Sequence, residues 1–237
     1  VFRRELYARL EPILAAVDGG VIEAHGFALG GATRIALAHG EVRISLDLDF
    51  LGSNAAGFAA LRGLVRDRGV ASILRPGMTL DVPREPSIDQ YGVRFPVRIG
   101  TDVVKVEIVR EARVELQPPV RETFCALPLL SIEDCIVEKI LANSDRGADA
   151  TQFDRDILDL SILREAHGPI SDRAWARAAM AYGEHARADV VKSLQRVLRD
   201  TDRRERDFRA LRVDDADRVM QGLMLLAGDL GASGSAE

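Results

Sequence analysis

The arrangement of apolar positions divides the chain into a mixed front and a helical back. Leu6, Leu10, Ile13, Leu14 and Val17 recur at helical spacing, so residues 2–17 are predicted as one amphipathic helix ending at Asp18-Gly19-Gly20. Phe27-Ala28-Leu29 is a short apolar run stopped by Gly30-Gly31, read as strand and turn, and residues 32–38 regain helical character. Between Val42 and Leu51 the period falls to two, with Leu46, Leu48 and Phe50 on one face and Ser45, Asp47 and Asp49 on the other, the pattern of a half-buried strand. Residues 54–68 read as a helix closed by Gly69. Four short runs rich in β-branched residues follow, at 70–74, 78–82, 91–99 and 103–109, and are predicted as strands of a meander that ends near Pro118-Pro119. Ser131-Ile132-Glu133-Asp134 has the form of a helix start, and helical periodicity then runs to Leu230.

That order predicts an α+β protein, with a sheet domain over residues 1–120 and a helical domain over 121–237, the break falling within 118–130. A length of 237 residues with 47% hydrophobic and 29% charged positions is ample for a folded core. The net charge of -5 excludes a protein that coats nucleic acid by bulk positive charge, so a nucleic-acid partner must be bound locally. Cys125 and Cys135 lack metal-ligand spacing and read as buried small apolar residues. No apolar run approaches the ~20 residues of a membrane helix, and no secretory core follows Val1-Phe2-Arg3-Arg4-Glu5, so the expected location is the cytoplasm. The opening on valine is expected to mean that a few native residues are missing, and the tail Gly231–Ser235 is expected to fray.

The candidate chemistry lies in the front half. Paired glycines at the mouth of a helix let backbone amides approach a phosphate closely, and the helix N-terminus adds partial positive charge, so Gly30 and Gly31 are candidate triphosphate binders. Residues two apart on a strand point the same way, which brings the carboxylates of Asp47 and Asp49 together, where they repel unless a cation intervenes. Magnesium suits such a pair, because it takes oxygen ligands and binds through one or two carboxylates plus substrate phosphates. On the strand 103–109, Glu107 offers a third acid, either completing a metal site with Asp47 and Asp49 or taking a proton from an acceptor hydroxyl. Lys105 shares its face, as a phosphate contact or as a charge-balancing edge residue. An Asp-x-Asp pair by itself is ordinarily a solvated strand face; the glycine turn and Glu107 give it a functional reading.

The string Gly30-Gly31 through Arg43-Ile44-Ser45-Leu46-Asp47-Leu48-Asp49-Phe50 resembles the first motif of the AbiEii-type nucleotidyltransferase toxins, within the DNA polymerase beta superfamily. Lys105-Val106-Glu107-Ile108 is similar to the family's later strand motif, and Ile132 to Ala142 resembles the helix carrying a family lysine, here Lys139. Arg146 and Arg155-Asp156-Ile157-Leu158-Asp159-Leu160 resemble the closing motif. The resemblance implies a nucleotidyltransferase-type mixed sheet followed by a helical bundle, with magnesium and a nucleoside triphosphate (NTP) as co-substrate. It implies Asp47 and Asp49 as metal ligands, Lys139 on the triphosphate with Asp156 orienting it, and Arg43, Ser45 and Arg146 among the nucleotide-binding residues. Many members of the wider superfamily have Gly-Ser where this chain has Gly30-Gly31, so backbone amides must here do the work of a hydroxyl.

The family further implies a toxin paired with a cognate antitoxin and, by likeness to some relatives, transfer of a nucleoside monophosphate to tRNA or another RNA. A small molecule or protein as acceptor, and a module that only binds nucleotide, are the competing readings. Arg196, Arg199, Arg203 and Arg206 recur at helical spacing as a stripe for RNA phosphates, although the interleaved Asp200, Asp202, Glu205 and Asp207 favour an ion-paired, solvated helix.

Overall fold

The computed structural model describes residues 2–232, so the expected fraying from Ser233 on lies outside the described residues. The chain divides into two compact units. One runs to Glu41 and resumes over Leu46–Ser131, and the other joins Val42–Ser45 to the segment from Ile132 onward.

The first unit contains α1 (Glu5–Ala8), α2 (Glu11–Ala16), α3 (Gly19–Ala24), β1 (Ala28–Gly30), α4 (Gly31–Ala38), β2 (Leu48–Gly52) and α5 (Ala55–Arg68). It continues with β3 (Ser87–Ile88), β4 (Gly92–Ile99), β5 (Asp102–Arg110), β6 (Val120–Glu122) and β7 (Cys125–Leu129). The strands form one mixed sheet in the order β3-β4-β5-β2-β1-β7-β6. The pairs β2–β5 and β1–β7 are parallel and the others antiparallel. Phe50, Val106, Ile108 and Phe95 enter one buried cluster with Tyr7, Ile13, Phe58 and Leu61 of the helices. Alternation along β5 leaves Val103 and Lys105 exposed and Glu107 half-buried on the opposite face.

The second unit is helical: α6 (Ile132–Arg146), α7 (Arg155–His167), α8 (Asp172–Tyr182), α9 (His185–Arg199), α10 (Thr201–Ala210) and α11 (Ala216–Leu230). Every residue from Asp156 to Leu163 is buried, which makes α7 the central helix of the unit. It packs on α6 and α11. No helix among the described residues is long and apolar enough to cross a membrane.

The sheet strands 91–99 and 103–109, the turn at Gly30-Gly31, the helix closed by Gly69 and the helical back half stand where the periodicity puts them. Six expectations change. The helix over 2–17 breaks into α1 and α2 because Pro12, lacking an N–H, sits in the first turn of a new helix, where no donor is required. Gly19 and Gly20 open α3 instead of ending a helix, since the Asp18 side chain accepts from the N–H groups of Gly20 and Val21. The strand expected over 42–51 begins only at Leu48. Its first part leaves with the helical unit, where the Ile44 N–H donates to the Leu211 carbonyl at 2.9 Å and the Val42 carbonyl accepts from the Asp214 N–H at 3.1 Å. Val70–Ile73 is a 3-10 turn, closed by the Ser72 hydroxyl on the Gly69 carbonyl, and 78–82 has no regular structure. Finally, the boundary expected between 1–120 and 121–237 falls inside the sheet, because β7 with buried Leu127 and Leu129 pairs with β1; the first unit ends at Ser131. Cys125 and Cys135 are both buried, as expected, and neither is in a disulfide.

Candidate functional site

β1 ends at Gly30, which pairs across the antiparallel ladder with Asp49, and α4 starts at the next residue. Both glycines are sterically required. A Cβ on Gly30 would lie 2.6 Å from a Leu130 methyl, and one on Gly31, whose φ is +67°, would lie 2.1 Å from Oδ2 of Asp49. The Asp49 side chain therefore rests against the turn that opens α4. No side chain caps α4 and no acid occupies its first turn, which leaves the favourable charge of the N-terminus uncancelled from within the helix. The Thr33 hydroxyl, one turn into α4, donates to the Asp47 carbonyl at 2.5 Å and fixes the chain where it enters β2. Asp47 itself is exposed and precedes the strand.

On the other side of β2, Asp49 stands in parallel register with Glu107, and Glu107 in antiparallel register with Arg94. Glu107 accepts from Nε of Arg94 at 3.0 Å and pairs with Nζ of Lys105 at 2.8 Å. Arg94 also reaches Asp89 at 3.0 Å, and hydrogen bonds from the backbone of Tyr91 and Gly92 hold the Asp89 carboxyl below its ordinary range. Arg94 is a site residue that sequence reasoning missed, yet its signal was present: a hairpin turning at Gly100-Thr101 pairs Ile99 with Asp102, and counting back pairs Arg94 with Glu107.

Among the described residues no three His, Cys, Asp or Glu side chains gather into a metal cage. The expected trio of Asp47, Asp49 and Glu107 is therefore not preassembled, and Glu107 is already engaged by two cations. Magnesium needs only one or two carboxylates beside water and phosphate, and Asp47 and Asp49 are the residues that would supply them.

The remaining expected residues lie in the helical unit, where they form one buried network. Arg43 grips Asp159 through Nε and Nη2 at 2.6 and 2.7 Å. Lys139 Nζ lies 2.9 Å from Asp156 and 2.6 Å from Asp159, and Arg146 binds Asp156 at 2.7 and 2.9 Å. Burial disfavours charge on all of these, but each has opposite charges in contact. Against that burial, Lys139 and Arg146 hold Asp156 well below the ordinary carboxylate range, and Arg43 and Lys139 do the same for Asp159. Burial also lowers the Lys139 pKa, and Asp156 and Asp159 more than reverse that. Three cations thus share two carboxylates. Arg155 lies near enough to feel them: its Nε is buried without a hydrogen-bond partner, and burial, then repulsion by Arg146, lowers its pKa. Asp159, three residues beyond Asp156 on the same face of α7, is the bridging acid, and that spacing in the sequence could have identified it. Ser45 lies half-buried in the Val42–Ser45 segment beside Arg43.

The arginine stripe does not form one surface. Asp200 separates α9 from α10, and Arg196 and Arg203 both turn onto the buried Asp154, at 2.7 and 3.1 Å from its Oδ1. Arg206 pairs with Asp207 at 2.7 Å. All three arginines are ion-paired, Arg206 with the interleaved Asp207 as expected, but Arg196 and Arg203 with Asp154, an acid outside the stripe.

A family model described as "Nucleotidyl transferase AbiEii toxin, Type IV TA system" matches residues 13–228. Among solved structures, JHP933 from Helicobacter pylori is similar at 21% identity and a TM-score of 0.53, over 97% of this chain and 93% of that one. A second H. pylori structure, described provisionally as a nucleotidyltransferase, matches at 20% identity and a TM-score of 0.50 over 94% of both chains. At these identities the structural likeness shows the fold. No curated protein matches the chain.

Proposed function

The chain belongs to the AbiEii nucleotidyltransferase toxin family of type IV toxin–antitoxin systems, and on that premise we propose that it transfers a nucleoside monophosphate from an NTP to a hydroxyl of RNA, with tRNA the favoured acceptor. The observation that carries this reading is the fit of Asp49 into the Gly30-Gly31 turn at the head of α4, with Glu107 in register beside it.

In the proposed reaction the amides of the Gly30-Gly31 turn and the α4 N-terminus cradle the phosphates. Asp47 and Asp49 would hold magnesium, which when bound neutralises phosphate charge and polarises the phosphorus under attack. The acceptor oxygen bonds to the α-phosphorus, the bond from that phosphorus to the bridging oxygen breaks, and pyrophosphate leaves with that electron pair. Glu107 receives the acceptor's proton, with Arg94 and Lys105 orienting its carboxylate. In the helical unit, Asp156 and Asp159 keep Lys139 protonated beside Arg43 and Arg146. A reaction using NTP and tRNA places the protein in the cytoplasm, where an antitoxin would restrain it.

Purified protein incubated with magnesium, total tRNA and each α-labelled NTP in turn tests this reading. Label should appear on RNA with release of pyrophosphate, and Asp47→Ala or Asp49→Ala should abolish both, since neither side chain supports the core. Full activity of Asp49→Ala would refute the assignment, and label on protein or a small acceptor would replace RNA as the substrate.

A further inference from the structure

In the sheet order, β1 lies on one side of β2, and β5, β4 and β3 on the other. Cross-strand partners share a face. Asp49 pairs with Glu107, Glu107 with Arg94, Lys105 with Pro96, and Arg94 with Ser87, so all six lie on the outward surface of the sheet. On that surface is a cavity of about 440 Å³ lined by Arg84, Ser87, Arg94, Pro96, Val103 and Lys105, completed by Phe95 and Glu85. With strands ~4.8 Å apart, it begins on β5 itself, two residues along from Glu107 at Lys105, and one strand beyond Asp49.

Two features say what it takes. The first is chemical: the lining brings together the donors of Arg84, Arg94 and Lys105, of which Arg94 and Lys105 share Glu107 and Arg84 is exposed, beside an apolar wall in which Val103 is 57% exposed. Cations suit phosphate oxygens, and guanidinium planes and apolar surface suit the face of a base. The volume lies within the ~300–1,000 Å³ of small-ligand sites, room for a terminal nucleotide and not for a folded partner. The second is stereochemical. Displacement at phosphorus sets attacking and leaving oxygens roughly in line. With the leaving pyrophosphate on the glycine turn of β1 and α4, the acceptor must approach from the β5 and β4 side, where Glu107 and the cavity are.

We propose that this cavity seats the 3′-terminal nucleotide of a single-stranded RNA acceptor, its phosphate on Arg84 and its base against Pro96 and Val103. The inference rests on the nucleotide-transfer reading above and adds where and how the acceptor binds.

The test uses the full chain, a short single-stranded RNA with a free 3′ hydroxyl, and the double variant Arg84→Glu, Val103→Glu, which alters two exposed side chains outside the reacting groups. The variant should raise KM for RNA roughly tenfold or more, with less salt dependence, while triphosphate affinity stays unchanged. Transfer to RNA with an unchanged KM in the variant would overturn the cavity assignment and leave the nucleotide-transfer reading standing. Label on protein or a small acceptor in the wild type would remove RNA from both. As a measurement independent of the variant's folding, a wild-type complex with RNA ending in 4-thiouridine should crosslink within residues 84–105. Crosslinks confined to other segments would overturn the proposal.

Discussion

Gly31 shows how much a single residue can decide. Its positive φ and the missing Cβ are both required where Asp49 lies against the turn, so Gly31→Ala is expected to cost about 1–3 kcal/mol and to abolish transfer. The double variant Gly31→Ala, Asp49→Ala should recover part of the stability, because the clashing carboxylate is gone, but none of the activity; urea unfolding of the four proteins measures the coupling. Asp159 is the counterpart in the helical unit. Asp159→Asn removes the charge shared by Arg43 and Lys139, and breaking such a buried cluster costs about 3–5 kcal/mol. The direction with pH follows from the shifts. Depressed Asp156 and Asp159 contribute stability above their unfolded pKa of ~3.9, lost as pH falls through the folded values. Lys139, raised, contributes below ~10.4, and that contribution is lost as pH rises through its folded pKa. Thermal melts should show a plateau from about pH 5 to 10 and a falling acid limb, and Asp159→Asn should lower the plateau and flatten that limb. At this scale the sequence was informative for Gly30, Gly31 and Asp49, whose spacing alone gives their proximity. The resemblance marks Arg43 as a nucleotide-binding residue, but its partner was hidden, because a buried bidentate partner 116 residues away leaves no local periodicity.

Elements were legible where one signal dominated. β4 and β5 alternate cleanly around a tight turn, and α5 carries its Asn54 cap and terminal glycine in the sequence. The reading failed where two signals competed: Pro12 inside an apolar helical stripe, or a β-branched run beside Ser72 whose hydroxyl closes a turn. β7 was missed because Leu127-Pro128-Leu129 is short and contains proline, and only its pairing with β1 makes it a strand. The α7–α11 packing depends on another glycine. A Cβ on Gly222 would fall 2.2 Å from the Ser161 carbonyl, so Gly222→Ala must push α11 off the central helix. A loss of about 1–3 kcal/mol is expected in chemical denaturation, although alanine has the higher helix propensity. If Gly222→Ala proved neutral or stabilising, the close approach of these helices would be wrong.

At the scale of the whole molecule, the order of a mixed front and helical back followed from periodicity, but the true partition did not, because it is discontinuous. Val42–Ser45 is drawn from the middle of the sheet unit and folded with the helices. A fragment beginning at Ile132 would therefore keep Asp159 while lacking the guanidinium that grips it. Such a fragment is expected to melt well below the same fragment supplied with a covalently fused copy of residues 42–45, as circular dichroism on the two would record. Inheritance feels the same constraint. A crossover between two related genes at the codon for residue 132 exchanges the helices but leaves their tetrapeptide with the other parent. Viable chimaeras should then be confined to parents that both encode arginine at 43 and aspartate at 159, or to double crossovers that carry the tetrapeptide along.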